Sequence, residues 1–507
     1  MRPWLPLLTA LLLNAGLIAQ THAVESKDET KASGEEKAHE KPVVTHHKLN
    51  PGGKPLEYTA TAGLMPLYDD SDKVEAKLFF VAYTVAAGEA RGPRPLTFAF
   101  NGGPGSSSVW LHLGALGPKR VVVPDDATIP PPPYQLTENA ETWLDKTDLV
   151  FIDPVETGYS RAAKPELNKR FHGLQGDIAS VSEFIRMYLT QYERWTSPLY
   201  LVGESYGTTR AAGLAGQLAD KGIALNGVIL ISTVLDFQTI RFGRTNDLPY
   251  VLFLPSYAAT AWYHKKLPPE LQKRGLQEVV AEVAKWAESD YLLALSRGDR
   301  IAAADRTATV QRLARYTGLS ERFIDLNDLR ITQSLFSREL LREERRTVGR
   351  FDSRYLGSVE NPGSSSPEFD PSEAAVRPSY TATFNQYART ELGYKTDRPY
   401  HILGSGNIGA WDWGASGAGY PETGSALRTA MAKNPHLKVL VASGYLDLAT
   451  PFAATDHTLA HLKLAPELRR NLRVTTYEAG HMMYLHAPSL AKLKRDVAEF
   501  LDDSDGR

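Results

Sequence analysis

Hydrophobic and polar positions change rhythm several times along this 507-residue chain. Residues 4–19 are an apolar run behind Arg2, and Thr21-His22-Ala23 offers an acceptable cut site, the pattern of a cleavable signal peptide over 1–23. Residues 24–50 are charged, with little to bury, and read as a solvated linker. Two β-rich runs follow, LEYTATAGLMPL (56–67) and VEAKLFFVAYTV (74–85), separated by a turn holding Asp69, Asp70 and Asp72. Short apolar strands are then expected at PLTFAF (95–100), DLVFID (148–153), PLYLV (198–202) and GVILIST (227–233). Helical period appears between them. Leu174, Ile178, Val181 and Ile185 share one face of a helix over 173–192, and a small-residue helix spans 208–221. Strands alternating with helices at this spacing predict βαβ units and a mostly parallel central sheet with helices on both faces.

The rhythm turns helical and charged over 240–395, with a Ser/Pro-rich loop at 362–372, so this region is expected to be a helical cap inserted into the sheet domain. The α/β pattern resumes at HLKVLVAS (436–443) and LRVTTYE (472–478) and closes with a helix over 489–501. The resulting division is a first core part at 51–239, the cap at 240–395, and a second core part at 396–507.

Composition narrows the function. Lys+Arg 57 against Asp+Glu 59 leaves a formal net charge of -2, so no concentrated basic surface points to nucleic acid. The absence of cysteine excludes disulfides, thiolate nucleophiles and cysteine-ligated metals. After residue 23 no segment is long and apolar enough to span a bilayer. Export to the periplasm or outside the cell is the expectation, and oligomeric state is left open.

The sharpest chemical signal is Gly203-Glu204-Ser205-Tyr206-Gly207, a G-x-S-x-G set between an apolar strand and a small-residue helix. That is the setting of a nucleophile elbow, where a tight turn lifts the serine Oγ above the sheet edge. A serine needs a base, and the base needs an orienting acid. Asp447 follows the strand ending VLVAS and His481 follows VTTYE, so both fall where the carboxyl edge of the sheet delivers side chains, in the order serine, acid, histidine. Taken singly, Asp447 suits a turn and His481 a polar loop. Position and order favour a Ser205–His481–Asp447 triad. The Gly-rich turn after PLTFAF, NGGPGSSS (101–108), has no following Gly-Lys-Ser/Thr, which argues against a phosphate loop. As an oxyanion loop it fits, with a backbone N–H beside that of Tyr206; loss of one such donor typically costs roughly 3 kcal/mol of barrier. His457 and His461, at i and i+4, lack the Glu of a metalloprotease motif and read as a solvated helix face. His46-His47 reads as surface, His486 as packing, and His112 and His172 have no acidic partner in a pattern. No metal site or cofactor is expected.

The segments NGGPGSSS (101–108), IDPVETGYS (152–160), GESYG (203–207), GYLDLATP (444–451) and GHMMY (480–484) together resemble the serine carboxypeptidase family of α/β hydrolases, in its bacterial-type form. The resemblance implies an α/β-hydrolase fold, the Ser205–His481–Asp447 triad and an oxyanion hole of the Gly103 and Tyr206 N–H groups. It also implies that Asn101, Gly102 and Glu204 bind the substrate's C-terminal carboxylate. A carboxylic acid and a carboxylate share one proton, whereas two carboxylates repel. Glu204 should therefore be protonated when a peptide binds, giving an acidic optimum for peptides and a more neutral one for esters. Ala99 stands where many eukaryotic members carry Trp, Ser106 where they carry Cys, and Ala115 replaces an acid often found before Leu-Gly-Pro. The last change weakens any preference for basic C-terminal residues. The leading expectation is a serine carboxypeptidase acting on peptides with a free C-terminus. An esterase or acyltransferase using the same triad is the alternative, and a non-catalytic binding protein on a hydrolase fold is a third.

Overall fold

The computed structural model describes residues 41–86, 93–404, 411–414 and 419–504. The signal peptide read at 1–23 and the linker up to residue 40 lie outside the described residues. The main sheet is built from β1 (Val43–Leu49), β2 (Leu56–Tyr68), β3 (Val74–Val85), β4 (Leu96–Phe100), β5 (Asp148–Ile152), β6 (Leu199–Glu204), β7 (Gly227–Ile231), β8 (Lys438–Gly444) and β9 (Leu472–Tyr477). Their spatial order is β1-β2-β3-β5-β4-β6-β7-β8-β9, and the two-residue strand Arg161–Ala162 pairs with β3 to make the sheet 10-stranded. Pairing is antiparallel from β1 to β5 and parallel from β5 to β9.

Local chemistry explains several of these elements. In the β2–β3 turn the Asp69 carboxylate accepts the N–H groups of Ser71 and Lys73 at 2.8 and 2.9 Å, which closes the turn without help from the core. β1 lies inside the stretch read as a linker at 24–50. Its Thr-His-His-Lys sequence hides the strand signal, but every residue from Val43 to Leu49 is in register with β2, which supplies the ladder partners. The linker reading therefore does not hold for these residues.

The parallel strands send alternate side chains to opposite faces. Phe98, Leu201, Leu230 and Val441 enter one core cluster, while Ala99, Val202, Ile229 and Ala442 enter another. The longer helices are α1 (Leu174–Gln191), α2 (Tyr206–Asp220), α3 (Leu248–Tyr263), α4 (Leu276–Trp286), α5 (Ala303–Thr317), α6 (Pro371–Thr390), α7 (Gly424–Lys433), α8 (Phe452–Ala460) and α9 (Ala487–Ser504). The first cluster is sealed by α1, α2 and α7, and the second by α6 and α9. Helices thus cover both faces of a mostly parallel sheet, which is the α/β-hydrolase fold.

The inserted helical region divides differently from the expected 240–395. Helices α3, α4 and α5 share their own cluster, with Tyr257, Val283, Leu313 and Phe336 in it. α6 instead packs Val376, Tyr380, Phe384 and Tyr387 into the sheet core. Charge and helical period look alike in both parts, so the sequence pattern could not separate them. Phe384 is fully buried and its ring lies 4.0 Å from that of Tyr400. Phe384→Ala should lower global stability by about 3–5 kcal/mol, read as a lower urea midpoint of the whole chain. A midpoint shift below 1 kcal/mol equivalent would show that α6 is not part of the sheet core.

Candidate active site

The carboxyl ends of β4, β6, β8 and β9 deliver the site residues to one cleft, lined among others by Asn101, Gly102, Gly103, Glu204, Ser205 and His481. Ser205 joins β6 to α2 with φ 59 and ψ -130, a conformation that costs a non-glycine residue about 1–3 kcal/mol. Its backbone is held on both sides. Its N–H donates to the Ile231 carbonyl at 3.0 Å, and its carbonyl accepts the Thr208 N–H at 2.8 Å. The turn is possible only because its flanks lack side chains. A Cβ on Gly203 would sit 2.1 Å from the Gly207 carbonyl oxygen, and one on Gly207 would sit 2.8 Å from that of Phe100.

The turn after β4 lies directly on this elbow. A Cβ on Gly102 would fall 2.5 Å from the Tyr206 nitrogen and 2.6 Å from that of Gly207, so the backbone at Gly102 lies against the N–H side of the elbow. Asn101 is pinned at three points. Its Oδ1 accepts the Leu111 N–H at 3.0 Å, which orients Nδ2 to donate to Glu204 Oε1 at 2.9 Å. Its carbonyl accepts Arg210 Nη1 at 2.6 Å. Farther along the same turn, the Ser108 N–H donates to Asp153 Oδ1 at 2.8 Å, a structural use of the IDPVETGYS segment.

His481 and Asp447 meet across the ends of β8 and β9, with His481 Nδ1 2.7 Å from Asp447 Oδ2. Asp447 is buried and further held by the N–H groups of Ala449 and Thr450, at 2.7 and 3.0 Å, and by the Thr450 hydroxyl at 2.8 Å. The His481 backbone is anchored too. Its N–H donates to the Phe351 carbonyl at 2.6 Å and its carbonyl accepts the Ser232 hydroxyl at 2.6 Å. His481 Nε2 is buried without a hydrogen-bond partner among the described residues, and it lines the same cleft as Ser205.

Two titrating groups are displaced from their ordinary ranges. Burial pushes the Glu204 carboxyl up to about 7, against the opposing attraction of His481 and the polar contacts of Tyr484 and Asn101. For His481, burial favours the neutral ring, but the charge and hydrogen bond of Asp447, with Glu204 behind them, outweigh it and raise its pKa above 6.5; Arg350 acts in the opposite sense.

Residues 51–250 match the family profile described as serine carboxypeptidase. The chain is 33% identical over 156 residues to the pheromone-processing carboxypeptidase KEX1 of Saccharomyces cerevisiae, covering 29% of this chain and 20% of that protein. It is 33% identical over 155 residues to the protein of that name from Cryptococcus gattii, covering 29% and 22%. Against serine carboxypeptidase-like 36 of Arabidopsis thaliana it is 31% identical over 159 residues, covering 30% of each. The chain thus spans about a fifth of the length of the fungal relatives it matches. A crystal structure of KEX1(delta)p, a prohormone-processing carboxypeptidase from S. cerevisiae, superposes with a TM-score of 0.55 at 19% identity, covering 88% of this chain and 91% of that one, which shows the common fold.

The structure brings together all eight residues singled out from the sequence. The competing histidines lie elsewhere. His457 and His461 stack on each other at 4.1 Å, His486 bonds the Ser489 hydroxyl at 2.9 Å, and His112 is buried against the Tyr83 hydroxyl at 2.6 Å, with burial lowering its pKa to about 3. Other contributors carried no sequence signal strong enough to find them. Arg350, Phe351 and Asp352 come from the helical insertion, and Asp177 supports the elbow by accepting from Arg210 Nε at 2.8 Å and Tyr206 Oη at 3.0 Å. The one available hint was Arg210 itself, a charge inside an otherwise small-residue helix. In Asp447→Asn the raising influence on His481 is removed and burial remains, so its pKa should fall below that of the unaltered protein. An NMR titration of the imidazole checks this, and an unchanged or higher value would show that Asp447 does not govern the ring.

Proposed function

We propose that this protein is a serine carboxypeptidase that removes C-terminal residues from peptides. The observation that carries the reading is the buried Glu204–Asn101 pair, placed immediately beside Ser205 in the cleft that also holds His481. In the proposed reaction Ser205 Oγ attacks the carbonyl of the last peptide bond while His481 Nε2 takes its proton. Asp447 keeps Nδ1 protonated and stabilises the imidazolium as it forms. The Gly103 and Tyr206 N–H groups hold the oxyanion. His481 then gives its proton to the departing amine, and water, deprotonated by the same ring, releases the acyl group from Ser205.

Substrate selection rests on the other end of the cleft. Glu204 as a neutral acid donates its proton to the substrate's terminal carboxylate, and Asn101 Nδ2 and the Gly102 N–H complete the cradle. A neutral ester offers this cradle nothing, which favours a peptidase over an esterase or acyltransferase on the same triad. Export rests on the 1–23 sequence; among the described residues no helix is long and apolar enough to cross a membrane. The bacterial-type assignment rests on the absence of cysteine and the departures at Ala99 and Ser106, whereas the relatives reported above are fungal and plant proteins.

The pH dependence has a definite sign. Glu204 carries its proton below about 7 and loses it above. For a peptide with a free carboxylate, kcat/KM should therefore fall about tenfold per pH unit above that value. Protonation of His481 lowers activity toward every substrate on the acid side. The experiment compares an N-blocked dipeptide, its C-terminal amide and a simple ester from pH 4 to 8, with Ser205→Ala as control. Ser205-dependent cleavage of the free acid, lost toward alkaline pH while ester cleavage is retained, is the expected result. Glu204→Gln should flatten the alkaline fall, because an amide donates at any pH. Cleavage of the ester alone would move the assignment to an esterase or acyltransferase.

A further inference from the structure

Four charged side chains line the cleft besides His481: Glu204, Arg350, Asp352 and Glu373. Asp352 is engaged by Arg354, with Nη2 at 2.7 Å and Nε at 3.0 Å. Glu373 pairs with Arg377 at 2.9 Å. Glu204 shares its hydrogen bond with Asn101. Arg350 is the one cation of the four, and its guanidinium has neither an ion pair nor a hydrogen bond among the described residues. Its guanidinium rests over the Phe351 ring at 5.0 Å, and that ring lies 5.1 Å from the imidazole of His481. The cation is therefore close to the reacting groups, and it is close enough to His481 to oppose protonation of that ring.

The backbone beneath Arg350 is fixed. Its N–H donates to Asp370 Oδ1 at 3.1 Å, at the start of α6, and its carbonyl accepts the Leu448 N–H at 3.0 Å, one residue past Asp447. The guanidinium is thus carried on a segment tied to the orienting acid of the site and not on a free loop. Trp110, Val376, Met482 and Leu485 supply apolar walls to the same cleft. A side chain with a methylene stem and a carboxylate tip matches apolar walls with one unpaired cation.

Building on the carboxypeptidase reading, we infer that Arg350 selects peptides with an acidic side chain, glutamate above all, on one of the two residues flanking the scissile bond. This selection is separate from recognition of the terminal carboxylate, which every substrate carries. It opposes the basic preference that an acid at Ala115 would have favoured.

The test uses four N-blocked dipeptides with free C-termini, Glu-Phe, Gln-Phe, Phe-Glu and Phe-Gln, at pH 6, where a substrate glutamate is ionised. In at least one pair kcat/KM for Glu should exceed that for Gln by about fivefold at low salt, and the excess should shrink in 1 M salt. Arg350→Gln should bring that ratio close to one, and Arg350→Lys should keep most of it, which separates a role of the charge from damage to the fold. A Glu/Gln ratio at or below one in both pairs, or a ratio untouched by Arg350→Gln, overturns the inference while leaving the peptidase reading intact. Absence of Ser205-dependent cleavage of the Gln peptides as well as the Glu peptides overturns both.

Discussion

The close backbone contact between the turn after β4 and the elbow after β6 is the constraint on which the site depends. Gly102 lies so near the Tyr206 nitrogen that any side chain there would enter the elbow, and Gly203 and Gly207 meet with no room for a Cβ. This contact sets the backbone at Gly102 against the Tyr206 and Gly207 nitrogens that follow Ser205. It also stacks Asn101 beside Glu204. The strain at Ser205 is tolerated because the surroundings over-determine it: β7 holds its N–H, Thr208 holds its carbonyl, and Arg210 reaches across from α2 to hold Asn101. The Arg210–Asp177 ion pair is buried and fully engaged, with Tyr206 Oη as a further donor to the carboxylate. Breaking one partner of such a pair would leave a charge stranded in the core, so the clamp is rigid.

The electrostatics of the cleft follow from the same packing. Glu204 is buried with one oxygen satisfied by Asn101 and Oε2 without a hydrogen-bond partner among the described residues. Burial without a cation in contact holds the carboxyl in its neutral form well into the neutral pH range. His481 is also buried, but its carboxylate partner is in direct contact, so its pKa rises too, here because the charged form is favoured. Two groups in one cleft thus hold their protons for opposite reasons, one because its charged form is disfavoured and one because its charged form is paired. The difference between them lies in which partner each touches, since both are equally removed from water.

Much of this was legible in the sequence because it rests on local patterns. Period-two and helical rhythms located strands β2 to β9 and helices α1, α2 and α9, but not the two-residue strand Arg161–Ala162. The order of Ser205, Asp447 and His481, each just after an apolar strand, placed them on one sheet edge. Strand β1 was missed because its side chains face solvent alternately and its stability comes from pairing with β2. The extent of the helical insertion was misjudged because α6 has the composition of the neighbouring helices, and only its contact with the sheet core separates it from them.

Arg350 and Phe351 belong to what the tertiary structure alone decides. In sequence they sit in a charged stretch before a Ser/Pro-rich loop, where an arginine reads as surface. They reach His481 because the Phe351 carbonyl and the Arg350 carbonyl accept backbone N–H groups from residues 481 and 448. The direction of the Glu204 and His481 shifts was likewise decided in three dimensions, since burial sums over neighbours from every part of the chain. The sequence determined which residues face one sheet edge, because strand and helix periods are local properties of the backbone. Which charges lack a partner there depends on loops closing over that edge, and that closure is set by long-range packing.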